Sequence, residues 1–275
     1  MVAVMISVRP LIFALAAFGL ALGVAQAGTR PIVVELYTSQ GCSSCPPADA
    51  ILGRLAQRPG LIAISLPVTY WDMLGWKDTL AREDYTRRQK AYAAAMGHGG
   101  VYTPQVIVDG VSDVVGSRAA EIEAAIAERR AQLAQAMADD PRIGAHALPA
   151  ALGMARPATM DPVVPVALTE TGQDMHIDIG AVPGVDGATV WMFHLRSTVS
   201  VNIARGENTG HTVTYHNVAS DLKAVGVYKG RALSLTLPRA SGVPHDAIAV
   251  IVQKGGFGHV LGAAYLSRPD YYAQQ

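Results

Sequence analysis

The chain's two cysteines, Cys42 and Cys45, lie in Gly41-Cys42-Ser43-Ser44-Cys45-Pro46. Two intervening residues place both sulfurs on one turn of chain, within bonding reach. Pro46 and Pro47 fit only the first turn of a helix, so a helix is predicted to start near Cys42. The free amides and dipole of that helix end favour a thiolate, the attacking species in disulfide exchange. Cys42 is then the nucleophile and the more exposed of the two. Cys45, one turn later and facing inward, resolves the mixed disulfide. Two other readings stand beside this one. As a static clip, so small a loop restrains the unfolded chain by only roughly 2 kcal/mol. As a metal site, two thiolates fall short of the four ligands zinc takes. Neither a metal nor a cofactor is expected.

Two further positions could serve the cysteines. Glu35 interrupts an apolar segment shortly before Cys42. Placed beneath the cysteine helix, its carboxyl would be desolvated, raised in pKa and able to take a proton from Cys45. A glutamate reaching solvent from a strand end is the alternative. Thr103-Pro104 precedes a short β-run, and a proline within the strand would block ladder pairing. A cis bond there would leave the Thr103 backbone groups able to bind an extended peptide beside the disulfide. An ordinary trans proline in a loop is equally compatible with the sequence alone. Trp71, Asp72 and Trp76 could form a recognition rim but fit core packing better. Arg205-Gly206-Glu207-Asn208-Thr209-Gly210 has the composition of a polar turn.

The elements that must hold these residues are legible. Ile32–Tyr37 reads as a buried strand and Leu61–Val68 as a second, with the cysteine helix through Ile51, Leu52 and Leu55 between them. This is a parallel crossover unit. Asp78 can cap a helix carrying Leu80, Tyr85, Tyr92 and Met96. Gln105–Val108 and Val111–Val115 flank an Asp109-Gly110 hairpin signal. Ser117 can cap a long helix with Ile122, Ile126, Leu133 and Met137 near one face. After an Ala- and Pro-rich stretch, nine strand-like segments follow: 163–168, 175–179, 189–195, 198–203, 211–218, 222–228, 231–237, 247–253 and 260–266. Their spacing suits a β-sandwich.

Leu11–Val24 is an uncharged apolar run after Arg9, and Ala25-Gln26-Ala27 offers a cleavage pattern. Too short to span a bilayer comfortably, this run reads as a cleavable signal peptide. An exported protein, periplasmic or secreted, meets an oxidising compartment where disulfides persist. The 22 basic and 22 acidic residues balance, with no basic stripe. Nucleic acid and anionic membrane are therefore not expected partners, nor is stable membrane insertion after cleavage. The expected organisation is a signal peptide at 1–27, an α/β domain at 28–140, a linker at 141–162 and an all-β sandwich-like domain at 163–275.

VELYTSQGCSSCPPAD, WDMLGWKD, VYTPQVIVDG and RGENTG together resemble a family of secreted bacterial proteins of unknown function with a thioredoxin-like N-terminal domain. The strand-then-CxxC and Thr-Pro features are shared more widely across the thioredoxin superfamily. The resemblance implies a thioredoxin-like fold for the first half, a nucleophile at Cys42, a resolving Cys45 and a cis Pro104 facing them. An acidic residue before the CxxC in that superfamily suggests the proton-accepting role for Glu35. The implied activity is thiol-disulfide exchange with protein or small-thiol partners in the periplasm. A non-enzymatic binding module with a structural disulfide is the alternative.

Overall fold

The computed structural model describes residues 30–138, 161–238 and 242–267. The signal peptide expected at 1–27 and nearly all of the linker expected at 141–162 lie outside the described residues.

The first half begins with strand β1 (Ile32–Thr38), helix α1 (Pro46–Leu55) and strand β2 (Leu61–Pro67). A short 3-10 turn (Asp72–Leu74) precedes helix α2 (Glu83–Met96). Strands β3 (Gln105–Val108) and β4 (Ser112–Val115) and helix α3 (Ala119–Ala138) complete it. β1 and β2 run parallel, whereas β3 is antiparallel to β1 and β4 to β3. Asp109 and Gly110 both take positive φ, 56° and 69°, in the three-residue connection between Val108 and its partner Ser112, where the Val111 amide donates to the Val108 carbonyl oxygen. Helix α2 starts later than expected. Asp78 instead caps its own turn, accepting from the amides of Leu80 and Ala81.

The second half is all strand: β5 (Val166–Thr171), β6 (Asp174–Ile179), β7 (Ala188–Asn202), β8 (Thr212–Tyr228), β9 (Leu233–Pro238), β10 (Ala247–Lys254) and β11 (Val260–Ser267). Four of the expected short strands are two long ones. The polar Arg196-Ser197 pair that suggested a turn is carried within β7, where Asp246 accepts from both the amide and the hydroxyl of Ser197. Register shifts at Val190/Trp191 and His194/Leu195 absorb the irregularity.

The halves share one mixed eight-stranded sheet, in the order β11-β10-β7-β8-β2-β1-β3-β4. β8 joins β2 in parallel at Ser65 and Val218. Strands β5, β6 and β9 form a separate three-stranded sheet. Side-chain alternation divides the core. Val33 and Tyr37 of β1 point to α2 with Ile62, Ile64, Tyr85 and Tyr92, a layer that continues to Phe193, Ala249 and Ile251. Val34 and Leu36 point the other way, to Ala48, Leu52 and Leu55 of α1 and Ile122 and Ile126 of α3. At the far end that second face is covered by the small sheet, whose Ile177 and Leu235 meet Val190 and Val250. A sandwich therefore exists, but one of its sheets is the sheet of the first half.

Candidate functional site

Cys42 and Cys45 form a disulfide with Cα atoms 5.4 Å apart. Cys45 is the N-cap residue of α1, one turn later than the helix start expected near Cys42. Cys42 lies in the preceding turn, its amide donating to the Ser39 carbonyl oxygen at 3.2 Å, while the Cys45 amide donates to the Cys42 carbonyl. Pro46 and Pro47 occupy the first helical positions and have no N–H. The helix end thus offers Cys42 its dipole but few free donors.

Cys42, predicted to be the more exposed cysteine, is buried, as is Cys45. Its relative exposure is 1%, against 0% for Cys45. The hairpin joining β7 to β8, whose tip carries Arg205–Gly210, reaches the cysteine loop. Asn208, itself buried, donates its side-chain amide to the carbonyl oxygens of Gln40 and Cys42, each at 2.9 Å. Glu207 accepts from the exposed Ser43 amide at 3.2 Å. A carboxylate therefore stands beside the cysteines, and neither Ser43 nor Ser44 supplies a positive charge.

The tryptophan-rich turn is wired to the same loop. Trp76 Nε1 donates to Gln40 Oε1 at 2.8 Å, and the Gln40 amide donates to Asp78 Oδ2 at 2.8 Å. A Cβ added to Gly41 would lie 3.1 Å from Trp71 Cβ, and Trp71 Nε1 donates to Thr103 Oγ1 at 2.8 Å. Trp71 thus bridges the cysteine loop and Thr103-Pro104. The Thr103-Pro104 bond is cis. Pro104 Cβ and Ala48 Cβ of α1 would lie 2.9 and 3.2 Å from a Cβ at Gly116, so the proline sits against the cysteine helix. Trp71 and Ala48 thus link Thr103-Pro104 to the loop and helix that carry the cysteines. Met73, 83% exposed, and Leu74 project from the turn beside them.

Glu35 is buried, but not where the sequence reading put it. It shares its face of β1 with Val33 and Tyr37, toward α2, while α1 and the cysteines lie over Val34 and Leu36. Arg88 donates from Nε to Oε2 at 2.6 Å and from Nη2 to Oε1 at 2.9 Å. Tyr92 OH donates to Oε1 at 2.6 Å, and Arg88 also reaches Gln253 of β10. Burial works against the Arg88 charge, but Glu35 and its neighbours outweigh it, and the guanidinium is held above its ordinary pKa. Glu35 cannot serve Cys45 across the sheet; it anchors α2 and β10 to β1.

Sequence reasoning passed over three residues of this neighbourhood, Gln40, Asp49 and Arg88, and read Asn208 only as part of a polar turn. Asp49 was open to it, because an acid four residues after Cys45 in a helix falls on the same face. It is 2% exposed. Among the described residues, no group of three or more His, Cys, Asp or Glu is placed to hold a metal, and no helix is long and apolar enough to cross a membrane.

Comparison with known proteins places the chain in a family. The family described as "Protein of unknown function (DUF1223)" matches over residues 33–142 and 139–253. The crystal structure of protein AGR_C_4864 from Agrobacterium tumefaciens is 30% identical, with a TM-score of 0.68, covering 88% of this chain and 96% of that one. HBP35 of Porphyromonas gingivalis is 10% identical, with a TM-score of 0.53 over 87% of this chain and 75% of that one, a likeness of fold alone. No curated protein matches. The chain belongs to the DUF1223 family.

Proposed function

We propose that this DUF1223 protein is an exported thiol-disulfide oxidoreductase built on a thioredoxin-like N-terminal unit. The strand order β2-β1-β3-β4, with α1 and α3 on one face and α2 on the other, supports the fold reading. The function rests on one observation: the Cys42–Cys45 disulfide caps α1 on the rim that also holds Thr103 and Pro104. In exchange, a partner thiolate attacks Cys42, Cys45 leaves, and Thr103 and Pro104 flank the incoming chain. The Ala25-Gln26-Ala27 pattern supports export to the periplasm.

The burial of Cys42 and the Asn208 bond to its carbonyl oxygen favour a second reading, a binding module whose disulfide is a structural clip. Equilibration with dithiol buffers separates the two. A redox-active pair titrates reversibly, whereas structural bridges in secreted proteins typically lie below about −300 mV. Substrate trapping in the native compartment then tests the assignment of roles. Cys45→Ser should accumulate mixed disulfides that dissolve in reductant, and Cys42→Ser should trap little. Equal trapping by both variants, or a bond closed at every physiological potential, would favour the clip.

A further inference from the structure

Beneath the start of α1 lies a group of polar side chains in an otherwise apolar layer. Neither carboxylate oxygen of Asp49 has a hydrogen bond of ordinary geometry, although the Thr38 hydroxyl lies close by, and the hydroxyls of Thr38 and Ser65 likewise make none. All three residues are at most 2% exposed. Unsatisfied buried polar groups are few in native proteins and call for an explanation, a chemical role among them.

The position of Asp49 suggests that role. Its amide donates to the Cys45 carbonyl oxygen at 3.1 Å, so it stands one helical turn after Cys45. Helical side chains lean toward the N-terminus over the residue four before, which directs the Asp49 carboxyl to Cys45. Both side chains are sealed from solvent. Among the described residues the surroundings offer no fixed cation. β1 contributes Thr38 to this side, since Glu35 and Tyr37 face α2. β2 contributes Ser65 and no titratable group. β8 contributes Tyr215 and His216, the latter against Gly53 of α1, and the turn before α2 contributes Asp78. An ionised carboxylate with no well-formed hydrogen bond and no opposite charge is strongly disfavoured there. Burial accordingly raises the Asp49 pKa well above the usual carboxylate value; the neighbouring Thr38 hydroxyl partly offsets this, and the nearby Asp78 charge adds a smaller push upward.

We propose that Asp49 supplies the proton to Cys45 Sγ when the disulfide opens and takes it back when the disulfide closes. The inference rests on the redox reading of the pair. When a partner thiolate attacks Cys42 Sγ, a bond forms between those two sulfurs and the Cys42–Cys45 bond breaks. Its electron pair goes to Cys45 Sγ. The Asp49 O–H proton transfers to that sulfur, leaving a carboxylate and a Cys45 thiol. In the reverse direction the carboxylate takes the thiol proton, and Cys45 attacks the mixed disulfide.

The test is stopped-flow reduction of the full mature protein by dithiothreitol, at concentrations where rate is linear in reductant, across pH. Each rate is divided by the reductant's thiolate fraction. For wild type the corrected rate should fall as pH rises through the Asp49 pKa. For Asp49→Asn it should be flat and about 10²-fold lower at neutral pH, the low end of general acid–base contributions, with the two profiles meeting at alkaline pH. Asp49→Leu, which removes the buried polar group, replaces it if the amide variant does not fold. A flat wild-type profile, or variants that keep the wild-type slope, would overturn the proposal while leaving the redox reading intact. A disulfide that dithiothreitol does not open reversibly would overturn both.

Discussion

Asn208 and Cys42 stand 166 positions apart in the chain, yet the Asn208 side-chain amide lies 2.9 Å from the Cys42 carbonyl oxygen. The contact exists because β7 and β8 are long enough to carry the tip of their hairpin across to α1. It makes the second half of the chain part of the disulfide site. A buried amide that joins the Gln40 and Cys42 carbonyls fixes the loop that carries Cys42.

Asn208→Ala should therefore do two things. It removes the donor to two carbonyls, one of which, Cys42, keeps a bond from the Cys45 amide. A lost buried hydrogen bond of this kind costs about 1–3 kcal/mol, readable in urea melts. The disulfide should also be reduced faster by dithiothreitol, because the loop that carries Cys42 is loosened. A variant that loses stability but keeps the wild-type reduction rate would show that the hairpin is a brace and not a gate.

Glu207 acts on the same loop through its charge. Its carboxylate accepts from the Ser43 amide and opposes thiolate formation at Cys42 after reduction. Glu207 itself is exposed, and solvent screens its charge, so the effect is small, roughly 1 kcal/mol or less. Glu207→Gln should speed alkylation of the reduced protein at neutral pH by about two- to threefold, and high salt should erase most of the difference.

Glu35 gives the contrasting case. Glu35→Gln breaks one side of a buried bidentate pair and leaves the Arg88 charge uncompensated, which costs about 3–5 kcal/mol. Denaturant unfolding should show that loss. Disulfide exchange in the fraction that stays folded should run at the wild-type rate, because the carboxylate lies across the sheet from Cys45. A slowed exchange rate in fully folded variant protein would revive its proton-transfer role.

These residues also show where sequence reading succeeded and where it stopped. The pair Cys42 and Cys45 was legible because no other cysteine competes with it, and the β-α-β-α-β-β-α order because Gly and Pro punctuate it. Glu35 was conspicuous as a charge in an apolar strand, but its role depended on which helix covers which face of β1. Its partner Arg88 looks like any other arginine in Glu83-Asp84-Tyr85-Thr86-Arg87-Arg88. Asp49 resembles an ordinary acid in a first helical turn until its lack of partners is seen. Asn208 resembles a turn residue until the hairpin is placed. The shared sheet was invisible for the same reason: β2 and β8 meet at one residue pair, which no local pattern encodes.

The last prediction concerns acid sensitivity. His194 of β7 is buried, with its ring 4.6 Å from that of His245 in an edge-to-face arrangement. Burial first, and then the neighbouring His245, pull its pKa down from 6.5 to about 4; Asp221, 3.6 Å from Nδ1, only partly offsets them. The unfolded chain therefore takes up a proton at this histidine from about pH 6.5 downward, while the folded chain does not until about pH 4. Unfolding binds protons throughout that window, so stability rises with pH across it. The contribution is complete above the unfolded pKa and is lost as pH falls toward 4, with a size of order 1–3 kcal/mol. Urea melts at pH 7, 5.5 and 4.5 should show the decline in wild type. His194→Leu, which has no proton to take up, should show a shallower decline. Parallel declines in the two proteins would remove His194 as the source of the acid sensitivity.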